Sequence, residues 1–582
     1  MLSLNQVALR IPHRSGEQIS QLARVLIPLQ FILIFLAALP IGILAQERPA
    51  SLSSSIDYDS LARNEIHTWI SNIGIMNHNP HTGSYSFEWP GGSGRTYTYQ
   101  DGFCIAGRMH GSGDIRADGT MCNASWQPGR ILKEGSAANP GDESNRLYRM
   151  RRLSASLCGS LPPIEQQVLK QDYQQWPVSQ GAPWRDVDLN GSYDPDFARW
   201  LQDPASVDGP IFHGDEMLWG VMNDLDTTQT RLLFGTIPIG LEVHTAVWAY
   251  DLPDCRGRAI FTRNQIIHKG NDDLDSAYFA IWADPDIGSG LDDFVGIDTV
   301  RQLAYGFNGK AMDAVYGNIG ALGYLLLQGP TVPAPGHTAR RCGRTEKDLK
   351  NLPFTAYTIY ANGVLPYTDP DRGVSRGAQM LYNNMKGLFA YGSPFVDPHT
   401  GDTTTLMIAG DPVMETGWLD SDNLPPGDRR FLASCGPFHL AVGDTQEVIY
   451  ARIVAEGGAP AEDVAALRRT ADCIIQTYED TPLLVRSAPA AGSFSLEAVY
   501  PNPLDISTRS QLAATILTGG PRSIHIRLVN TVGQVVAERT MAVPQGQGTF
   551  ILDLPDNLPA GYYQLTATDG RAVEIERVVL LK

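Results

Sequence analysis

Leu241-Glu242-Val243-His244-Thr245-Ala246-Val247-Trp248-Ala249 places Leu241, Val243, Thr245, Val247 and Ala249 at every second position. A repeat of two is the period of a β-strand, whose side chains leave alternate faces. Ala277, Phe279, Ile281 and Ala283 repeat the pattern, as do Val448, Tyr450, Arg452 and Val454. Long stretches rich in Gly, Pro, Asp and Asn separate such runs, for example residues 80–96 and 394–430. One helix stands out near residues 460–479, where Val464, Leu467, Ala471, Ile474 and Tyr478 follow Pro460 at spacings of three and four. The expectation is an all-β protein: a turn-rich β-sandwich body with few helices. Its first unit is expected over residues 46–340 and its second over 341–487. No repeat of solenoid or propeller length is present.

Composition narrows the function classes. The 582 residues include 57 Gly and 39 Pro, 43% are hydrophobic and 19% charged. Such a chain is neither disordered, collagenous nor a coiled coil. The formal net charge of −18 disfavours a nucleic-acid groove, which needs surplus Lys and Arg to displace counterions. The seven cysteines are Cys104, Cys122, Cys158, Cys255, Cys342, Cys435 and Cys473, with no CxxC pair. An odd count leaves at least one free, and isolated cysteines in a large domain behave as small apolar fillers. Cys104 and Cys122 are the close pair, across a Gly-rich segment.

Residues 25–45 read VLIPLQFILIFLAALPIGILA, an uncharged run preceded by Arg10, Arg14 and Arg24. A basic start, an apolar run and a small residue describe an export signal peptide, residues 1–45, cut after Ala45. A membrane anchor is the competing reading, since about 20 apolar residues can span a bilayer. Pro28 and Pro40 count against that helix. The 24 residues ahead of the run are long for such a start, so the expected start codon lies further downstream. The mature chain is expected to be acidic and exported, with no membrane span.

At the other end, a small-residue linker at 488–493 leads into short alternating runs at 496–499, 511–517, 524–529, 535–539, 549–554, 562–567 and 573–581. Asp569-Gly570 between the last two is a two-residue hairpin turn. About seven short strands in roughly 90 residues read as a small immunoglobulin-like sandwich over 494–582. Tyr500-Pro501-Asn502-Pro503, then residues 528–536 (LVNTVGQVV) with Gly533, then Leu558-Pro559-Ala560-Gly561-Tyr562-Tyr563, stand in order before Lys582. This order resembles the type A C-terminal sorting domain of type IX secretion substrates. The resemblance implies passage across the inner and then the outer membrane, with the type IX secretion machinery as partner. It also implies removal of the tail, and release of the body or its attachment to surface polysaccharide. The location implied is extracellular or on the outer cell surface.

Several phrases of the body are similar to an uncharacterised family of exported bacterial proteins. They include Phe87-Glu88-Trp89-Pro90, Gly181-Ala182-Pro183-Trp184, Trp282-Ala283-Asp284-Pro285-Asp286, Gly410-Asp411-Pro412, Gly417-Trp418, Ser434-Cys435-Gly436-Pro437-Phe438 and Gly443-Asp444-Thr445-Gln446-Glu447. That likeness implies no activity.

Two acidic clusters carry the chemistry of the body. Asp186, Asp188, Asn190, Ser192 and Asp194 form DxDxNGxxD, which turns alternate oxygens toward one point as calcium requires, with Gly191 at the sixth place for the sharp turn. Phe197 stands where an EF-hand has its bidentate Glu, so a further ligand must come from elsewhere. A solvated Asp/Asn/Gly turn is the alternative. Asp284, Asp286, Asp292, Asp293 and Asp298 form the second cluster, read as a solvated loop, a second calcium site or a catalytic carboxylate pair. HExxH and GxSxG motifs are absent, and Gly306-Phe307-Asn308-Gly309-Lys310-Ala311 departs from a P-loop. His78 and His81 flank Pro80 in a loop, against a helical metal pair. Trp184, Trp219, Trp248 and Trp282 are readable as a sugar groove or as core. The functional expectation is an exported structural or ligand-binding protein rather than an enzyme, the alternative being a secreted hydrolase acting on polysaccharide.

Overall fold

The computed structural model describes residues 56–480 and 494–581, apart from 501–503, 507–509, 519–521, 531–533, 544–545, 556 and 572. The expected signal peptide, the linker at 488–493, and Pro501, Asn502, Pro503, Gly533 and Lys582 lie outside the described residues.

Two antiparallel sheets make the body. The larger has nine strands, and its middle runs Ala321–Gln328, Thr445–Ala455, Ala259–His268, Leu241–Ala249 and Glu216–Asn223 in spatial order. The other has five, ordered Ala356–Ala361, Arg429–Leu440, Leu274–Asp284, Gln100–Met109 and Ile115–Gly119. Strands from both sides of residue 340 therefore sit in both sheets. The boundary expected there runs through the sheets, because Thr445–Ala455 hydrogen-bonds to Ala259–His268 along its length.

The all-β expectation holds, and the Leu241–Ala249 strand carries a further feature. All nine of its residues are buried, so neither face meets water. Leu241, Val243, Val247 and Ala249 enter the core between the sheets, with Phe279 and Ile281 of the facing sheet. Ala246 and Trp248 point the other way, into a second core closed by Val464, Leu467, Ala471, Ile474 and Tyr478. Those five lie on the Pro460–Asp480 helix, as their spacing predicts. The outer face of the five-stranded sheet is likewise covered, by Ala378, Leu381 and Met385 of the Ser375–Met385 helix. The body is thus a sandwich with helices on its outer faces. Trp219, Trp248 and Trp282 are core residues, while Trp184 is half-buried.

Burial on both faces leaves charged groups inside. Arg452 and Asp101, on strands of opposite sheets, are fully buried with Nη1 and Oδ1 3.5 Å apart. Arg452 also donates to Asn77 Oδ1 at 3.1 Å and Thr262 Oγ1 at 3.0 Å. Asp101 accepts from Tyr324 Oη at 2.8 Å and from Asn77 Nδ2. Asp118 and Asp224 form a second buried pair, in which Asp224 accepts from the Ile239, Gly240 and Leu241 amides at 2.8–2.9 Å. Burial, then the charge of Asp224, holds Asp118 well above the ordinary carboxylate range.

The C-terminal domain has a three-stranded sheet, Phe494–Tyr500, Gln511–Thr518 and Gly546–Asp553, and a five-stranded one in which Val573–Leu581 lies between Leu504–Asp505 and Gly561–Thr568. Leu512, Ile516, Ile526, Leu528, Leu565 and Val578 from both sheets share one core. Gly570 has φ +85° at the Asp569-Gly570 turn, a conformation that Gly adopts without steric cost.

Cys255 and Cys473 form a disulfide that ties the Pro460–Asp480 helix to the turn before Ala259–His268. Cys104, Cys122, Cys158, Cys342 and Cys435 are free. Closing a loop across 218 residues restricts the unfolded chain, so Cys473→Ser should lower unfolding stability by up to about 5 kcal/mol. Denaturant midpoints of the oxidised wild type and the variant check this; coincident curves would mean the bond does not stabilise the body.

Candidate functional site

The Leu274–Asp284 strand ends where Pro285 interrupts it, and this stop sets the site. Asp284 lies opposite Gln100, and its carbonyl accepts from Tyr99 N at 2.9 Å and Thr98 Oγ1 at 2.8 Å. Its side chain is thereby held at the rim of the five-stranded sheet, where Arg430 arrives on the next strand. Arg430 Nη1 lies 3.0 Å from Asp369 Oδ2, and Nη2 lies 3.7 Å from Asp428 Oδ2. Its Nε and Nη2 make no hydrogen bond. Burial pushes Asp284 up to about 8, with the charge of Asp286 adding to it and Arg430 opposing it. Burial, then the charge of Asp428, pushes Asp286 up to about 7. Asp369 is raised as well, again by burial first. Arg430 thus serves four carboxyl groups, with Arg372 also acting on Asp369, and two of these hold protons near neutral pH. Such an arrangement can donate and accept protons, and perturbed groups of this kind cluster at functional sites.

Of the other acids of the sequence cluster, Asp293 stays within reach of the Asp286 charge, while Asp292 and Asp298 pair with bases elsewhere. Asp292 is buried with Oδ2 3.2 Å from Lys310 Nζ. Asp293 is buried and accepts from Ile287 N at 3.0 Å. Asp298 turns to Arg301 at 3.0 Å and Arg468 at 3.0 Å. Five neighbours in sequence therefore occupy three surroundings, while Asp369, Asp428 and Arg430 complete the rim from distant segments.

In the loop at 186–194, Asp186, Asp188 and Asp208 each bring a ligand oxygen within 4.8 Å of the others. Among the described residues this is the acidic group that converges so closely. Asp208 was not foreseen; it arrives from a turn beyond the Phe197–Trp200 helix and accepts from Val187 N at 2.8 Å and Asp194 N at 3.0 Å. Gly191, at φ +78°, donates to Asp186 Oδ2 at 2.8 Å. Asp186 Oδ1 is shielded from water and has no hydrogen-bond partner. Asn190 Nδ2 bridges Asp188 Oδ2 and Asp194 Oδ2, each at 2.9 Å. Ser192 N donates to Asn190 Oδ1 at 2.6 Å. Three carboxylates with backbone support suit a hard, oxygen-seeking cation.

Residues 498–581 match the family model described as the secretion system C-terminal sorting domain. The tail is thus a sorting domain of the type IX kind. Within it, Tyr563 is buried and donates to Pro559 O at 2.9 Å, and Gly561 opens the Gly561–Thr568 strand. No curated protein is significantly similar to the chain. Among solved structures, a polysaccharide lyase is 7% identical, with 58% of this chain and 34% of that one covered and a TM-score of 0.18. A β-glucuronidase of Ruminococcus gnavus is 14% identical, with 28% and 27% covered and a TM-score of 0.11. PorZ, a surface component of the type IX secretion system of Porphyromonas gingivalis, is 9% identical, with 91% and 59% covered and a TM-score of 0.11. The chain covers less than two thirds of each, and likenesses this slight carry no argument about the body. Among the described residues, no helix is long and apolar enough to cross a membrane.

The rim acids give a pH prediction. Asp284 and Asp286 bind protons more tightly folded than unfolded, so the stability they confer is complete below about pH 4 and is lost as pH rises through 7–8. Asp284→Asn keeps the hydrogen-bonding shape without the charge. It should match wild type near pH 4 and exceed it at pH 8 by on the order of 2 kcal/mol. Unfolding curves across that range check it, and parallel pH profiles would contradict it.

Proposed function

We propose that this chain is cargo of a type IX secretion system whose body works outside the cell as a ligand-binding or structural surface protein. The observation that carries the reading is the sorting domain matched at 498–581. The body supports a binding role because its rim acids crowd around Arg430 instead of standing isolated across a cleft, as the paired carboxylates of glycoside hydrolysis do. Deleting residues 494–582 should leave the protein in the periplasm while the intact chain reaches the medium or the surface. Fractionation with a body-specific antibody checks this, and equal surface levels of the two forms would refute it. A secreted hydrolase of polysaccharide is the second reading, favoured by one observation: Asp284, pushed up to about 8, is a proton donor close to other acids.

The loop at 186–194 is proposed to hold calcium, with Asp208 supplying the ligand that the loop itself lacks. Converging carboxylates repel one another without a cation, and the shielded Asp186 Oδ1 is an oxygen free to ligate. Calcium at about a hundred times its Kd would stabilise the body by about 2.7 kcal/mol. A chelator should lower the wild-type Tm, and Asp188→Ala should remove most of that difference. A wild-type curve that chelation leaves in place would mean a solvated turn.

A further inference from the structure

Asp118 stands on the Ile115–Gly119 strand of the five-stranded sheet, and Asp224 directly follows the Glu216–Asn223 strand of the nine-stranded one. Both are wholly buried, and their carboxyl groups hydrogen-bond to each other. Two carboxylates in such contact, away from water, repel too strongly for both to ionise, so one proton stays between them. The surrounding donors decide which residue carries it. Asp224 accepts from the Ile239 and Gly240 amides on Oδ2, at 2.9 and 2.8 Å, and from the Leu241 amide on Oδ1 at 2.8 Å. Three backbone donors favour a carboxylate over a carboxylic acid. Asp118 is met by the Thr230 hydroxyl at 3.1 Å and by a longer approach of Ile239 N at 3.3 Å. Asp224 is therefore the ionised member, and Asp118 keeps the proton and donates it to Asp224.

The charged groups around the pair are engaged elsewhere. Arg116, two residues back on the same strand, donates to Pro238 O at 2.7 Å. Asp226 caps the Thr227–Phe234 helix that carries Thr230, accepting from Thr228 N at 2.9 Å, and Arg231 of that helix is exposed. Lys269 pairs with Glu242 at 2.7 Å. Burial lowers His268 below the usual histidine range and pushes the Cys104 thiol up, so both are neutral at pH 7. The turn at 235–240 has no titratable side chain. A proton is thus what relieves the two acids, and their burial keeps them from acting on a substrate.

We infer that Asp118 and Asp224 share one proton that clasps one sheet of the body to the other, a device that holds firmly in acid and loosens as the medium turns alkaline. The folded chain binds this proton more tightly than the unfolded chain does, so the stability it confers is complete below about pH 4 and is lost as pH rises. Burial, then the charge of Asp224, holds Asp118 well above the ordinary carboxylate range, so the loss continues through about pH 6.5 to 8. One proton amounts to about tenfold in the folding constant for each pH unit.

The test is urea unfolding of the full chain across that pH range, read by tryptophan fluorescence. All 10 Trp precede residue 419, so the signal reports the body. Asp118→Asn keeps a hydrogen-bond donor toward Asp224 without a titrating proton. It should fold, and its folding constant should gain on wild type by about tenfold per pH unit, with Asp284 and Asp286 contributing alike to both chains. Infrared spectra near neutral pH should show one protonated carboxyl fewer in this variant. Asp224→Asn turns an NH₂ group toward backbone N–H donors in either orientation and should melt far below wild type. Parallel pH profiles of wild type and Asp118→Asn, or an unchanged carboxyl absorption, would overturn the shared proton. Failure of Asp118→Asn to fold, or tolerance of Asp224→Asn, would overturn its placement on Asp118.

Discussion

The buried pair of Arg452 and Asp101 constrains how the two sheets of the body can stack. Each residue belongs to a different sheet, and neither has access to water that could replace the other. Side chains alternate along a strand, so a one-residue slip of Thr445–Ala455 would turn Arg452 toward the helix-covered face and leave Asp101 uncompensated. Removing one member of a buried pair costs about 3–5 kcal/mol, a large share of a typical domain's stability. Asn77, Thr262 and Tyr324 complete the network. Strand register, sheet spacing and the position of the Asn77 loop therefore follow from the same few contacts.

What the sequence discloses about this architecture tracks how local the cause is. The strands of the C-terminal domain are legible because they are short alternating runs, four of them in hairpins, and the 573–581 run coincides with the observed strand. The Pro460–Asp480 helix is legible because its apolar face repeats every three or four residues. The double burial of Leu241–Ala249 could have been suspected from Ala246 and Trp248, apolar residues on the supposedly polar side. The rim around Arg430 had no such signal. Asp369, Asp428 and Asp284 meet through pairing between strands remote in sequence, and no spacing rule reports that. The reverse error has the same origin. Asp284 to Asp298 look like one cluster because they are close in sequence, yet a strand end, a loop and a new strand point them apart.

Electrostatics then differ sharply between the two acidic regions. In the 186–194 loop most of the oxygens are met by backbone amides and by Asn190, with Asp186 Oδ1 the exception, and Asp188 and Asn190 are exposed to solvent. At the sheet rim Asp284 is buried and Asp286, Asp369 and Asp428 are half-buried around Arg430, and protons take the place of counterions on Asp284 and Asp286. In the first region three carboxylate oxygens converge within 4.8 Å of one another; in the second, the acids are pushed toward their protonated forms. Both are built from aspartate, and burial makes the difference.

The place of Thr445–Ala455 has a consequence for the order in which the body can be made. It lies between Ala321–Gln328 and Ala259–His268, although it comes more than a hundred residues after either in the chain. Until it emerges, the large sheet exists as two separated halves, and Arg452 is not there to meet Asp101. Cooperative closure must wait for nearly the whole body, because its central contacts are among the least local. A nascent chain that lacks Thr445–Ala455 lacks the contacts joining the two halves, so the large sheet is completed only when this last body strand is delivered.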